Sequence, residues 1–188
     1  MKRIAILLLS LTLLLTCTAC AVTDSTTVAV PDVGVQLNVP EGWLYGTPAM
    51  GFTSPLAVAS GMSEADFERL FGEDGYSFYA VDRIHGMVCY ILDLPLTFPE
   101  PSEDTCEAIA DEIIRGFALP GEDVETRFIR VGGNSFVYLR CDLSGDMTLH
   151  HYVSNGAKAP YVVTIMTIAS QMPEETVQEV LGSIRPAP

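Results

Sequence analysis

The stretch VETRFIRVGGNSFVYLRCDL, residues 124–143, decides the fold of this chain. Apolar and polar residues alternate along both halves of it, which is typical of β-strands that bury one face. Gly132-Gly133 stands at the centre, and paired glycines favour the tight turns that join antiparallel strands. We therefore expect strands over residues 124–131 and 135–143 that pair as a β-hairpin.

Two further strands and a helix are expected after this hairpin. Residues 147–153 and 161–168 flank a glycine-containing turn. The second segment, YVVTIMTI, is apolar at almost every position, which indicates a central strand covered on both faces. A closing helix is expected from Pro173 until Pro186, because acidic residues open it and apolar residues recur at helical spacing.

Helices and strands alternate before the hairpin. Ser63 is expected to cap a short helix that ends at Gly72, and Ser102 is expected to cap a longer helix that runs to about Phe117. Three more strands are predicted, over residues 34–39, 76–81 and 87–94. Together the elements predict an α+β fold, with an antiparallel sheet of six or seven strands flanked by helices.

A family resemblance rests on two short segments. GVQLNVPEGW at residues 34–43 resembles the opening strand and the Pro-x-Gly-Trp turn of PsbP-like domains, and LGSIRP at residues 181–186 resembles their end. The order of helices and strands between them is also similar to that fold. The resemblance implies a PsbP-like α/β/α sandwich and an exported or accessory role. It implies no common catalytic residue.

The first residues are typical of an export signal. Lys2 and Arg3 precede the run IAILLLSLTLLL at residues 4–15, which carries no charge. This run is shorter than the ~20 apolar residues that span a bilayer core, and small residues follow it. We therefore predict a cleaved signal peptide over residues 1–19.

The end of the signal resembles a bacterial lipobox, in which a small residue precedes the cysteine that receives diacylglycerol. Ala19-Cys20 fits this pattern, although Cys17 occupies the position where leucine is usual. Cys17 is itself a competing site, and ordinary cleavage after Ala19 would leave a free secreted protein. We predict lipid on Cys20 and a location on the extracytoplasmic face of the cell membrane.

The sequence predicts two parts in the mature chain. The lipidated cysteine and a flexible tether rich in Thr and Ser are expected over residues 20–32, and one α+β domain over residues 33–188.

Charge excludes one class of partner. The chain has 24 acidic and 10 basic residues, and loss of Lys2 and Arg3 with the signal leaves a net charge of 8 − 24 = −16. Such a surface repels phosphate backbones, so no nucleic-acid partner is expected. The membrane, through Cys20, and an envelope protein remain as partners.

Candidates for chemistry are few. Zinc sites need ligands at short spacings that the three histidines do not show, so neither a metal nor a cofactor is predicted. Three cysteines remain in the mature chain once Cys20 is acylated, which allows one internal disulfide at most. Cys141 could meet His151 across neighbouring strands, but its place between Leu139 and Leu143 favours a core residue.

Function is therefore predicted as a non-enzymatic binding or accessory module of the cell envelope. The alternative is a thiol- or metal-dependent hydrolase that uses Cys141 with His150 or His151. A small-ligand carrier with an enclosed apolar cavity is a third hypothesis. The candidate binding loop comprises Trp43, Tyr45, Met50 and Phe52. Trp43 is expected to pack inward, and the other three either face a partner or complete the core.

Overall fold

The computed structural model describes residues 25–117, 119, 124–143, 146–168 and 174–188. The predicted signal peptide, the lipidation site Cys20 and the competing Cys17 lie outside these residues. The strands are β1 (Thr26–Val30), β2 (Val35–Val39), β3 (Leu44–Gly46), β4 (Tyr76–Asp82), β5 (Met87–Asp93), β6 (Glu125–Val131), β7 (Asn134–Leu143), β8 (Met147–Asn155), β9 (Pro160–Ile168) and β10 (Arg185–Pro186). The α-helices are α1 (Pro55–Ser60), α2 (Glu64–Glu68), α3 (Cys106–Phe117) and α4 (Glu174–Gly182).

A seven-stranded antiparallel sheet forms the centre of the molecule, in the order β3-β4-β5-β9-β8-β7-β6. The predicted α+β class and the predicted strand number are confirmed. The strand β9 lies in the middle of the sheet, and its apolar run is buried on both faces, as its sequence predicts. Gly132 and Gly133 adopt φ values of 59° and 89°, so the β6–β7 turn uses the left-handed conformations that glycine permits.

The strands β1, β2 and β10 form a second, three-stranded sheet in the order β1-β2-β10. This small sheet and α4 cover one face of the seven-stranded main sheet, which is called the small-sheet face. Buried side chains of these elements, among them Leu37, Val180 and Leu181, join Phe78, Ile91 and others of the main sheet in one apolar cluster. The predicted closing helix is confirmed, but it ends at Gly182, because Arg185 and Pro186 leave it to pair with β2.

The opposite face, the helix face, is covered by α1, α2 and α3. The helix α3 buries Ile109 and Ile113 against one end of the sheet, and α1 and α2 bury Leu56 and Phe67 at the other. Ser63 caps α2 as predicted, since its Oγ accepts a hydrogen bond from the Asp66 N–H at 3.1 Å. None of the described helices has the length and hydropathy needed to cross a membrane.

The predicted tether over residues 20–32 is wrong for its second half. Thr26–Val30 forms β1, which pairs with the whole of β2. Val28 and Val30 are buried, because alternate residues of this Thr- and Val-rich segment face the core. The helix α1 was also not expected, although Ser54 caps it and Pro55 opens it.

Candidate functional site

The small-sheet face carries a buried Tyr–His pair near the edge of the sheet. Tyr138 Oη and His150 Nδ1 are hydrogen-bonded at 2.8 Å, and both side chains are almost fully buried. The guanidinium of Arg127 lies 4.7 Å from the centre of the Tyr138 ring. Burial, with the nearby Arg140 charge, lowers the pKa of His150, and burial raises the pKa of Tyr138. Both groups are therefore neutral at neutral pH.

A solvent-exposed network of charged side chains lies beside this pair. Arg140 donates two hydrogen bonds of 3.1 Å to the carboxylate of Asp142, and Thr148 Oγ1 donates one of 2.8 Å. The Thr148 hydrogen bond is the main cause that lowers the pKa of Asp142. Because Asp142 is held by these exposed partners on the small-sheet face, it does not orient His151, which points to the other face.

His151 lies on the helix face, where it and Thr164 form a polar row between two apolar clusters. His151 is opposite Leu139 on β7 and Thr164 on β9, and its Nδ1 is hydrogen-bonded to Thr164 Oγ1 at 2.8 Å. The row separates the cluster under α3 from the cluster under α1 and α2. His151 Nε2 is buried, and no described residue offers it a hydrogen bond. Burial lowers the pKa of His151 to about 4.

Cys141 lies on the helix face, as His151 does, but at a different point along the strands. Cys141 stands opposite Leu149, two residues before His151, so the two side chains are diagonal neighbours. Cys141 is 1% exposed, and its burial, with the charge of Asp142, raises its thiol pKa. A neutral thiol beside a neutral imidazole lacks the thiolate that attacks substrates. The two residues therefore share a face as diagonal neighbours, and the pKa of each is shifted away from the thiolate–imidazolium pair that a thiol nucleophile uses.

The other two cysteines in the described part of the chain, Cys89 and Cys106, are also buried and free. Cys89 lies on the small-sheet face, where burial raises its thiol pKa to about 12, and Cys106 opens α3. Within the described ranges, no group of three or more His, Cys, Asp or Glu residues is placed to hold a metal ion.

Asp82 and His85 form a second hydrogen-bonded pair, at the turn of the β4–β5 hairpin. The buried carboxylate of Asp82 accepts hydrogen bonds from the Ile84 and His85 backbone N–H groups at 2.9 and 3.3 Å. The same carboxylate is hydrogen-bonded to His85 Nδ1 at 2.5 Å. Ile84 is left 80% exposed at the tip. An Asp directly before a turn favours this side-chain-to-backbone arrangement, so the sequence contained a signal for it.

The predicted binding loop is not a surface patch. Trp43 is buried as expected, and Tyr45 is 6% exposed because it packs on the small-sheet face, so it follows the alternative in which loop residues complete the core. Met50 packs partly against the same cluster. Phe52 is 42% exposed, and its ring makes an edge contact with Phe67 at 6.2 Å. The four residues are thus divided between two faces of the sheet.

Sequence reasoning did not single out Arg127, Tyr138, Arg140 or Asp82. The first three could have been found from the Gly132-Gly133 turn, since a two-residue turn fixes which residues of the two strands are opposite. That register places Arg127 opposite Tyr138 and Glu125 opposite Arg140, as observed.

Comparison with solved structures finds a protein of similar fold. No protein-family profile matches the sequence, and no curated protein is significantly similar to it. The solution structure of cyanobacterial PsbP (CyanoP) from Synechocystis sp. PCC 6803 is similar to this chain, with a TM-score of 0.40 and 12% sequence identity. The match covers 91% of this chain and 97% of that chain. A similarity of this size says nothing about what the chain binds.

Proposed function

We propose that this chain is an exported lipoprotein that lipid on Cys20 holds at the cell membrane, where it acts by binding an envelope protein. The apolar run at residues 4–15 and the Ala19-Cys20 pair support export and lipidation. Two or three acyl chains on one cysteine give stable membrane attachment without a polybasic segment, which suits this acidic chain.

The observation that carries the non-enzymatic role is the state of Cys141 and His151. Both side chains are buried, the thiol pKa is raised, and the imidazole is hydrogen-bonded to Thr164 with a pKa of about 4. A hydrolase built on this pair would have to expose and ionise both groups. Their packing favours a structural role instead, and binding through the exposed surface requires neither group to move or ionise.

Metabolic labelling with a radioactive fatty acid tests the anchor. Wild type should incorporate label and fractionate with membranes, whereas Cys20→Ala should do neither. Cys17→Ala is the matched control, and it should behave as wild type. Equal labelling of wild type and Cys20→Ala would move the site to Cys17, and absence of label in all three would overturn the anchor.

In-cell crosslinking tests the binding role. Brief treatment of intact cells should give a discrete crosslinked species that contains this chain and one other protein in a fixed ratio. The same species should be weaker in Cys20→Ala cells, where the chain is no longer held at the membrane. A chain that crosslinks to nothing in cells, yet hydrolyses a substrate in a Cys141-dependent way, would replace the proposal with the hydrolase alternative.

A further inference from the structure

The first strand that the structure describes begins at a defined end of the molecule. Thr26, the first residue of β1, is opposite Val39, the last residue of β2. The chain then turns within four residues, because the Trp43 N–H donates to the Pro40 carbonyl. The strand β3 starts immediately afterwards with Leu44.

The tip of the β4–β5 hairpin lies at this same end. Leu44 is opposite Val81, and the next residue, Asp82, is opposite Met87. The turn between β4 and β5 therefore lies just beyond the start of β3. The four residues between Asp82 and Met87, residues 83–86, are called the hairpin tip.

The hairpin tip presents an isoleucine to solvent on a fixed turn. Ile84 is the most exposed of the large hydrophobic residues in the described part of the chain. The turn beneath it is held by the Asp82 carboxylate, which accepts two backbone N–H groups and is hydrogen-bonded to His85. A side chain that is exposed on a turn held by such hydrogen bonds is available to a partner at little cost in conformational entropy.

We propose that the hairpin tip rests on the bilayer, with Ile84 entering the membrane interface. This inference rests on the proposed lipid anchor at Cys20. Four residues, 21–24, lie between Cys20 and Ser25, and the five steps from one Cα to the next span at most about 18 Å. Strands of nine or ten residues are about 30 Å long, so the end that carries Thr26 and the hairpin tip stays nearest the membrane.

Charge favours a bilayer as the occupant. The chain has 24 acidic residues, and exposed ones such as Glu107 and Asp111 follow α3. The hairpin tip contains none: Asp82, beneath it, is buried, and Arg83 and His85 flank Ile84. Anionic head groups would repel the exposed carboxylates of Glu41 and Asp142, which lie at this same end. The contact is therefore confined to the hairpin tip, where an aliphatic side chain gains from leaving water.

Quenching by brominated lipid tests the contact. The lipidated Ile84→Trp protein is reconstituted into phosphatidylethanolamine–phosphatidylglycerol vesicles, with or without lipids brominated near the head-group end of their acyl chains. The added tryptophan should show blue-shifted emission and lose most of that emission with brominated lipid. Wild type, whose only tryptophan is the buried Trp43, supplies the background.

A matched variant places the probe at the opposite end. Asp32 is exposed in the β1–β2 turn, and Asp32→Trp should float with vesicles yet keep its emission. Flotation of Ile84→Trp without quenching, or equal quenching of both variants, overturns the hairpin contact and leaves the anchor intact. Failure of wild type to float overturns the anchor and the contact together, so the two failures are distinguishable.

Discussion

Tyr138 Oη lies 2.8 Å from His150 Nδ1 across two neighbouring strands, although the two residues are not opposite each other in the sheet. Tyr138 is opposite Tyr152 and His150 is opposite Arg140, so the hydrogen bond runs diagonally on the small-sheet face. Because burial disfavours both charged forms, the hydrogen bond joins a neutral phenol to a neutral imidazole at neutral pH. Its effect is to fasten β7 to β8.

Tyr138→Phe should therefore weaken the fold. The variant keeps the ring but leaves His150 Nδ1 without this hydrogen bond, which costs about 1 kcal/mol for a typical buried pair. Urea unfolding at pH 7 measures the loss. His150→Leu and the double variant complete a thermodynamic cycle, in which the two single losses should not add. Additive losses would show that the two side chains do not stabilise each other.

The buried His151 predicts a loss of stability in mild acid. Its folded pKa is about 4, whereas histidine in an unfolded chain titrates near its ordinary value of 6.5. Between these values the unfolded state binds more protons, so stability falls as the pH is lowered from about 6.5 to about 4. The expected contribution is on the order of 3 kcal/mol.

The paired variant His151→Leu with Thr164→Val isolates this contribution. It removes both members of the hydrogen bond and the orphaned Nε2, so its stability at pH 7 should be within about 1 kcal/mol of wild type. Unfolding free energies at pH 7 and pH 4.5 should show a smaller acid loss for the variant than for wild type. An equal loss in both proteins would contradict a buried neutral His151.

Much of the architecture could be predicted because its signals are local. The Gly132-Gly133 turn determines a register in which Val131 is opposite Asn134, and period-two alternation then assigns every side chain of β6 and β7 to a face. The continuous apolar run of β9 likewise predicts its central position.

The rest depends on contacts between residues that are far apart in sequence. Tyr90 of β5 is opposite Thr164 of β9, and nothing near either residue specifies that pairing. The polar row around His151 could not be predicted without it. Tyr45 could not be assigned to the core for the same reason, since β1, β2 and α4 cover it from elsewhere in the chain.

The buried thiols predict low reactivity in the folded protein. Burial raises the pKa of Cys89 to about 12 and also raises those of Cys106 and Cys141, so few thiolates form at pH 8. Ellman's reagent should modify the folded, lipidated protein at least about tenfold more slowly than the urea-unfolded protein. Cys141→Ser should lower the number of thiols that react in urea from three to two. A Cys141-dependent fast phase in the folded protein would favour the hydrolase alternative.

The β6–β7 turn packs on the end of α4. Substitutions at its two adjacent glycines can distinguish the effect of that packing from the effect of backbone strain. Gly132 and Gly133 both have positive φ, so alanine at either position costs about 1 kcal/mol in backbone energy. A Cβ at Gly132 would overlap the backbone of Gly182, whereas a Cβ at Gly133 would meet nothing within 4 Å. Asn134 strengthens this contact, since its Nδ2 donates to the carbonyls of Leu181 and Ile184 at 3.1 and 2.8 Å.

Gly132→Ala should therefore destabilise the protein by about 2 kcal/mol or more beyond Gly133→Ala, because α4 must move away from the sheet and expose part of its apolar face. Thermal unfolding of the two variants, side by side with wild type, measures the difference. Asn134→Ala should cost about 1 kcal/mol by loss of its two hydrogen bonds. If Gly132→Ala and Gly133→Ala were equally stable, the turn would not contact α4, and the small-sheet face would be packed differently from the arrangement described.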